Sequence, residues 1–164
     1  MRTRFLDRTL HVCAAAAMLC FTAAVRAQSE WPDYLPTMKA AESKSPVAAP
    51  VPADAKVEPP PADFPADKAR WSGKFAGWAC SGSVCDTKLV VEKVTVTGAE
   101  IIYSFASASF PPRATRLSAQ FVGDELHGTL PSGSKLKYRM RSTGEVEFHL
   151  QRGQTSVAGI LVRE

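Results

Sequence analysis

Few residues in this sequence are equipped for chemistry. Among 164 residues there are four cysteines and three histidines, and His11, Cys13 and Cys20 all fall in the first 27. Past that point only Cys80, Cys85, His127 and His149 remain. Neither histidine has a cysteine or a second histidine at metal-ligand spacing. No serine sits at a nucleophile elbow ahead of a helix, and no glycine-rich phosphate loop opens one. Long apolar runs are missing after the amino terminus, which excludes a further membrane-spanning helix. A concentrated basic face is missing too. Residues 28–69 carry four lysines against seven acids, and residues 70–164 carry twelve Lys/Arg against eight acids. Nucleic acid binding needs a basic patch that this balance does not supply. The reading is a protein without catalytic residues, metal or cofactor, and therefore not an enzyme.

The amino terminus has the pattern of a targeting segment. Arg2, Arg4 and Arg8 precede an almost wholly apolar run from Leu10 to Val25, and Val25-Arg26-Ala27 fits a cleavage site. A short apolar run with a basic start and a small-residue end reads as a secretory signal peptide. Cleavage after Ala27 is expected, with retention as an anchor the alternative. Neither Cys13 nor Cys20 follows the small residue that a lipoprotein anchor requires. The expected location is periplasmic or extracellular.

Residues 28–69 hold nine of the twelve prolines. Proline removes a backbone donor, and few apolar side chains remain to bury, so the stretch reads as a disordered Pro/Ala-rich linker. Trp31-Pro-Asp-Tyr34-Leu35 stands out in it, either as a docking motif or as stray aromatics at a frayed end.

Residues 70–164 read as an all-β domain. From Leu117 onward apolar residues alternate with polar ones in short runs: Leu117/Ala119/Phe121, Leu126, Leu136/Tyr138/Met140 and Val146/Phe148/Leu150. Gly-Asp, Pro-Ser-Gly-Ser, Ser-Thr-Gly and Arg-Gly separate them. Period two bounded by turn residues marks half-buried strands. Upstream, Trp71–Cys80, Leu89–Thr97 and Ile101–Phe105 add three strands, and Gln154–Val162 forms the eighth. Leu89 and Val91 are out of phase with Val94 and Val96, which predicts a bulge near Glu92-Lys93. Eight strands with short connections predict an antiparallel up-and-down barrel, with a two-sheet sandwich as the alternative.

Turn placement predicts pairing. A turn at Arg152-Gly153 puts Leu150 opposite Thr155 and Phe148 opposite Val157. A turn at Ser142-Thr143-Gly144 puts Arg139 opposite Glu147 and Lys137 opposite His149. A loop over residues 131–135 puts His127 opposite Arg139 and Glu125 opposite Arg141. The outer face becomes a solvated ladder of opposite charges, with an anion site on Lys135, Lys137, Arg139 and Arg141 as the competing reading. Ala158, Ile160 and Val162 face outward, and with Trp71 or Trp78 they leave an apolar strip for the proline-rich segment, a partner or a second copy to cover. Inside, bulky residues favour a filled core, while Gly128 and Gly159 remove volume and leave a small cavity open. Candidate ligand contacts are Tyr103, Phe105, Phe121, Tyr138 and Phe148. The longest connection carries Phe110, Pro111, Pro112 and Arg113, a candidate site for an envelope protein. Cys80 and Cys85, in a secreted chain, read as a structural disulfide.

Trp71-Ser-Gly-Lys-Phe-Ala-Gly-Trp78, Leu89–Val94, Tyr103 and Leu126-His-Gly-Thr-Leu-Pro-Ser-Gly133 together resemble the small lipocalin-like (calycin-type) barrels of proteobacterial secreted proteins. The resemblance covers about residues 70–164. It implies a barrel that holds an apolar ligand or a protein partner, and no catalytic residue. The helix that closes many lipocalins is missing here. Ser132-Gly133 with Tyr138 is similar, more faintly, to the loop and tyrosine with which periplasmic inhibitors of C-type lysozyme block their enzyme. The expected function is a non-catalytic binding module for a small apolar ligand or a protein partner, with a passive envelope-associated domain as the alternative.

Overall fold

A computed structural model describes residues 31–41, 43–80 and 85–164. The expected signal segment, residues 1–27, and residues 81–84 lie outside the described residues. Eight strands follow one another: β1 (Gly73–Ala79), β2 (Cys85–Val94), β3 (Gly98–Ser107), β4 (Arg113–Val122), β5 (Glu125–Thr129), β6 (Lys135–Met140), β7 (Val146–Arg152) and β8 (Thr155–Arg163). Each pairs antiparallel with the next, and β8 returns to β1, so the sheet closes into an up-and-down barrel. Closure leaves no unpaired sheet edge and rules out the sandwich. The register of β2 against β3 shifts between Val91 and Lys93, which places the bulge at Glu92 and turns Val94 back into the core.

Two predicted registers are off by two residues. Leu150 lies opposite Val157 and Phe148 opposite Gly159. The turn is Gly153-Gln154, because Gly153 has φ +57° and supplies the positive φ that a two-residue II′ turn requires at its first position. Likewise His127 lies opposite Lys137 and Glu125 opposite Arg139. There the Leu130 amide donates to the Ser134 carbonyl at 2.9 Å, which tightens the turn to Pro131-Ser132-Gly133. Both errors preserve parity, so the inward face is unchanged. The Arg139–Glu147 and Lys137–His149 pairs stand as predicted. Cys80 and Cys85 form a disulfide with Cα atoms 6.1 Å apart, joining the end of β1 to the start of β2.

The compact unit begins at Trp31 rather than at Arg70. Among its described residues, the segment expected as a disordered linker carries only a 3₁₀ turn at Leu35–Thr37 and a four-residue helix, α1 (Ala66–Ala69). It nevertheless lies along the barrel. Trp31 and Leu35 are buried with Ala158 and Ile160 of β8, and Met38 and Ala40 pack at the edge of that cluster. This is the apolar strip anticipated from the sequence, covered by the chain's own arm; Val162 stays exposed. Further on, the Ala49 amide donates to the Asp86 carboxylate at 2.6 Å and the Glu58 amide to the Glu92 carbonyl at 2.7 Å. On this side the outward-facing Val90, Ile102 and Ala106 are buried. Proline narrows the unfolded ensemble, so ordering such a segment costs less than ordering a flexible one.

The outer charge ladder is thus partly covered, more so than the solvated surface expected there. Glu147 is 4% exposed and accepts from both Arg139 (2.7 Å) and Arg141 (3.0 Å). Arg141 also donates to the Leu35 and Met38 carbonyls at 2.7 and 3.0 Å. The Trp31 indole N–H donates to Glu125 at 2.6 Å, and the Arg139 guanidinium sits 4.8 Å from the Trp31 ring centroid. Arg139 and Arg141, two of the four cations of the anion site considered on this face, are thus engaged by acids and by the arm.

Candidate functional site

The barrel is filled at one end and open at the other. At the filled end Trp71 enters the barrel and meets Phe121 edge-on, with centroids 5.9 Å apart. Phe64 packs beneath, and Lys68 at the end of α1 lies 4.0 Å over the Phe121 ring. Arg163 pins this plug by donating to the Ser72 and Arg70 carbonyls at 2.7 and 2.6 Å.

In mid-barrel Tyr103 stacks on Phe148 at 5.7 Å, and Phe148 meets Tyr138 at 5.5 Å. Tyr138 and Phe148 are fully buried. The Tyr138 hydroxyl has no hydrogen-bond partner among the described residues. Burial, with Tyr103 close by, pushes its pKa well above the ordinary tyrosine value, so it stays protonated. Burial does the same to Tyr103.

Above this stack the barrel opens into a cavity of about 520 Å³. Its walls are Tyr103, Phe105, Leu130, Leu150 and Val157, and its rim is Phe110, Pro111 and the loop at Ser132 and Ser134. The volume lies within the range of pockets that hold small molecules, roughly 300–1,000 Å³. Phe110 tilts toward Phe105, centroids 6.4 Å apart, and remains 63% exposed. The inward side chains of β4 at this level, Arg113 and Thr115, lie opposite Phe105 and Tyr103 and also line the space.

The candidates singled out from the sequence are therefore redistributed. Tyr103 and Phe105 line the cavity, whereas Tyr138 and Phe148 support it from behind. Phe121 belongs to the plug at the other end and has no place in the site. Phe110, Pro111 and Arg113 join the same mouth; Pro112 is exposed beside it. The supposed ligand and partner sites are one place.

The glycines do not make the cavity. A side chain at Gly128 would meet Leu117 Cδ1 at 2.8 Å, so Leu117 already fills that volume. At Gly159 it would meet the Trp78 carbonyl oxygen at 2.2 Å; this glycine serves the close approach of β8 to β1. Sequence reasoning missed Thr115, Leu130, Leu150, Arg152 and Val157. Their signal was position: each lies at the same end of its strand as the Phe110 loop.

Among the described residues that line the cavity there is no carboxylate, imidazole or thiol; its polar groups are the hydroxyls of Tyr103, Thr115, Ser132 and Ser134 and the guanidinium groups of Arg113 and Arg152. Among the described residues no group of three His, Cys, Asp or Glu could hold a metal ion, and no helix is long and apolar enough to cross a membrane. Compared with family models, with curated proteins and with solved structures, the chain matches none.

Proposed function

We propose that this protein is a secreted or periplasmic, non-catalytic binding module that takes a small apolar ligand into the open end of its barrel. The observation that carries the reading is the asymmetry of the interior: one end plugged by Trp71 and Phe121, the other open to about 520 Å³ between aromatic and aliphatic walls. Proteins pack their interiors closely, and an apolar space of this size open to water is costly unless something occupies it. The likeness of residues 70–164 to lipocalin-like barrels agrees with the reading, and the disulfide suits an oxidising compartment. The lysozyme-inhibitor reading loses its tyrosine, because Tyr138 is sealed inside the barrel, away from the Ser132-Gly133 surface.

The test is native mass spectrometry of the full chain, exported and purified from a periplasm, before and after organic extraction. One apolar molecule per barrel, lost on extraction, is the expected result. A bare protein that also fails to bind the neutral probe N-phenyl-1-naphthylamine would overturn the reading. In that case the exposed Phe110 on its Pro-Pro loop favours the second reading, a rim that docks an envelope protein.

A further inference from the structure

The described chain contains seven arginines, and five have their partners. Arg116 bonds Glu92 and Asp54, Arg139 bonds Glu147, and Arg141 bonds Glu145, Glu147 and the arm. Arg70 and Arg163 are taken by backbone carbonyls. Only Arg113 and Arg152 make no hydrogen bond or ion pair among the described residues, and both line the cavity. They come from different strands, β4 and β7, and stand where the apolar walls meet water. Among the described residues no acidic side chain lines the same space. Ser132 and Ser134, hydroxyls 2.9 Å apart, add a polar edge on the β5–β6 turn. The other five described arginines are engaged by acids or carbonyls; these two are left over at the mouth of an apolar pocket.

We infer that the occupant is a single-chain amphiphile with a monoanionic head, a fatty-acid carboxylate. Its tail lies between Tyr103, Leu150 and Val157, and its head is held at the rim by Arg113 and Arg152. The inference rests on the carrier reading and adds the ligand's charge and polarity to it. A carboxylate accepts charge-assisted hydrogen bonds from guanidinium groups, and two such groups on separate strands converge on one head. At roughly 30 Å³ per carbon, about the share of one liquid water, a twelve-carbon chain takes on the order of 360 Å³ and fits the space. Each contact is exposed at the rim and so contributes modestly, about two- to threefold in affinity.

The experiment displaces N-phenyl-1-naphthylamine from the full chain with dodecanoate, dodecanol and dodecyltrimethylammonium at low salt. Dodecanoate is expected to bind about five- to tenfold more tightly than dodecanol, and the ammonium more weakly than both. Arg113→Gln with Arg152→Gln is expected to bring dodecanoate down to the dodecanol value measured on the same variant, with circular dichroism showing that the variant is folded. High salt is expected to shrink the same difference. Equal binding of acid and alcohol, or a preference for the acid that survives in the double variant, would overturn the head-group inference and leave the apolar carrier standing. Failure of all three to bind would overturn both.

Discussion

The two ends of the barrel are built from the same eight strands and are closed in opposite ways. At one end the chain spends an indole, two phenylalanines and an arginine clamp on sealing the interior. At the other, the inward positions carry Arg113, Thr115 and Arg152, and no aromatic plug crosses the mouth. A barrel of this size can be filled by side chains along its full length. Here the filling stops at the Tyr103–Phe148–Tyr138 stack. Aromatic packing is concentrated in one half, and the other half encloses the cavity.

The sharpest way to break that contrast is to truncate one side chain in each half. Phe148→Ala, in the filled half, is expected to cost about 3–5 kcal/mol of stability in urea unfolding. Leu150→Ala, two residues on but facing the cavity, is expected to cost less than about half of that. Equal losses would mean that the mouth is as tightly packed as the base.

A second contrast sets the covered wall against the mouth. Glu147→Gln leaves Arg139 and Arg141 without their buried carboxylate, and a loss on the order of 2–3 kcal/mol is expected, reduced from a fully buried case because both arginines touch solvent. Trp31→Ala is expected to lower stability by about 2 kcal/mol at most and to speed limited proteolysis within residues 31–58, since the indole carries both burial and the bond to Glu125. Neither change is expected to alter binding of an apolar probe. A loss of binding in Trp31→Ala would tie the arm to the mouth and end the separation drawn here.

The smallest expected effect is acidic. The Arg116 guanidinium bonds Glu92 and Asp54 and holds both carboxyls below their ordinary values. A depressed carboxylate stabilises the fold above its unfolded value, 4.5 for Glu92, and that contribution fades as pH falls through the lowered folded value. The Lys56 amide, which donates to Glu92 at 3.2 Å, reports it. Its chemical shift is expected to move below about pH 4.5 while the amides of the Trp71 plug hold still.

Much of the barrel could be read from the sequence because its inward residues are apolar wherever they meet a core. Alternation from Leu117 to Leu150 marked the strands, and the phase slip after Val91 marked the bulge. β4 was placed too late for the same reason: Arg113 and Thr115 face open space, so the first turns of that strand carry no apolar period. The two register errors came from turns whose glycine position, rather than glycine presence, sets the pairing. The arm was hidden because proline-rich composition reads as disorder, while its attachment depends on single anchors, Trp31, Leu35 and Ala49, and on amides captured by Asp86 and Glu92. Its sequence signals were the Trp31–Leu35 cluster and the outward apolar face of β8, which needed a cover.

The most direct measurement is a two-dimensional amide NMR titration of the folded, exported protein with N-phenyl-1-naphthylamine. Shifts are expected at Phe105, Thr115, Leu130, Leu150 and Val157, with Trp71, Phe121 and the Trp31–Leu35 contact unmoved. Shifts centred on the plug or on the covered wall, or spread evenly over the barrel, would contradict a site at the open end.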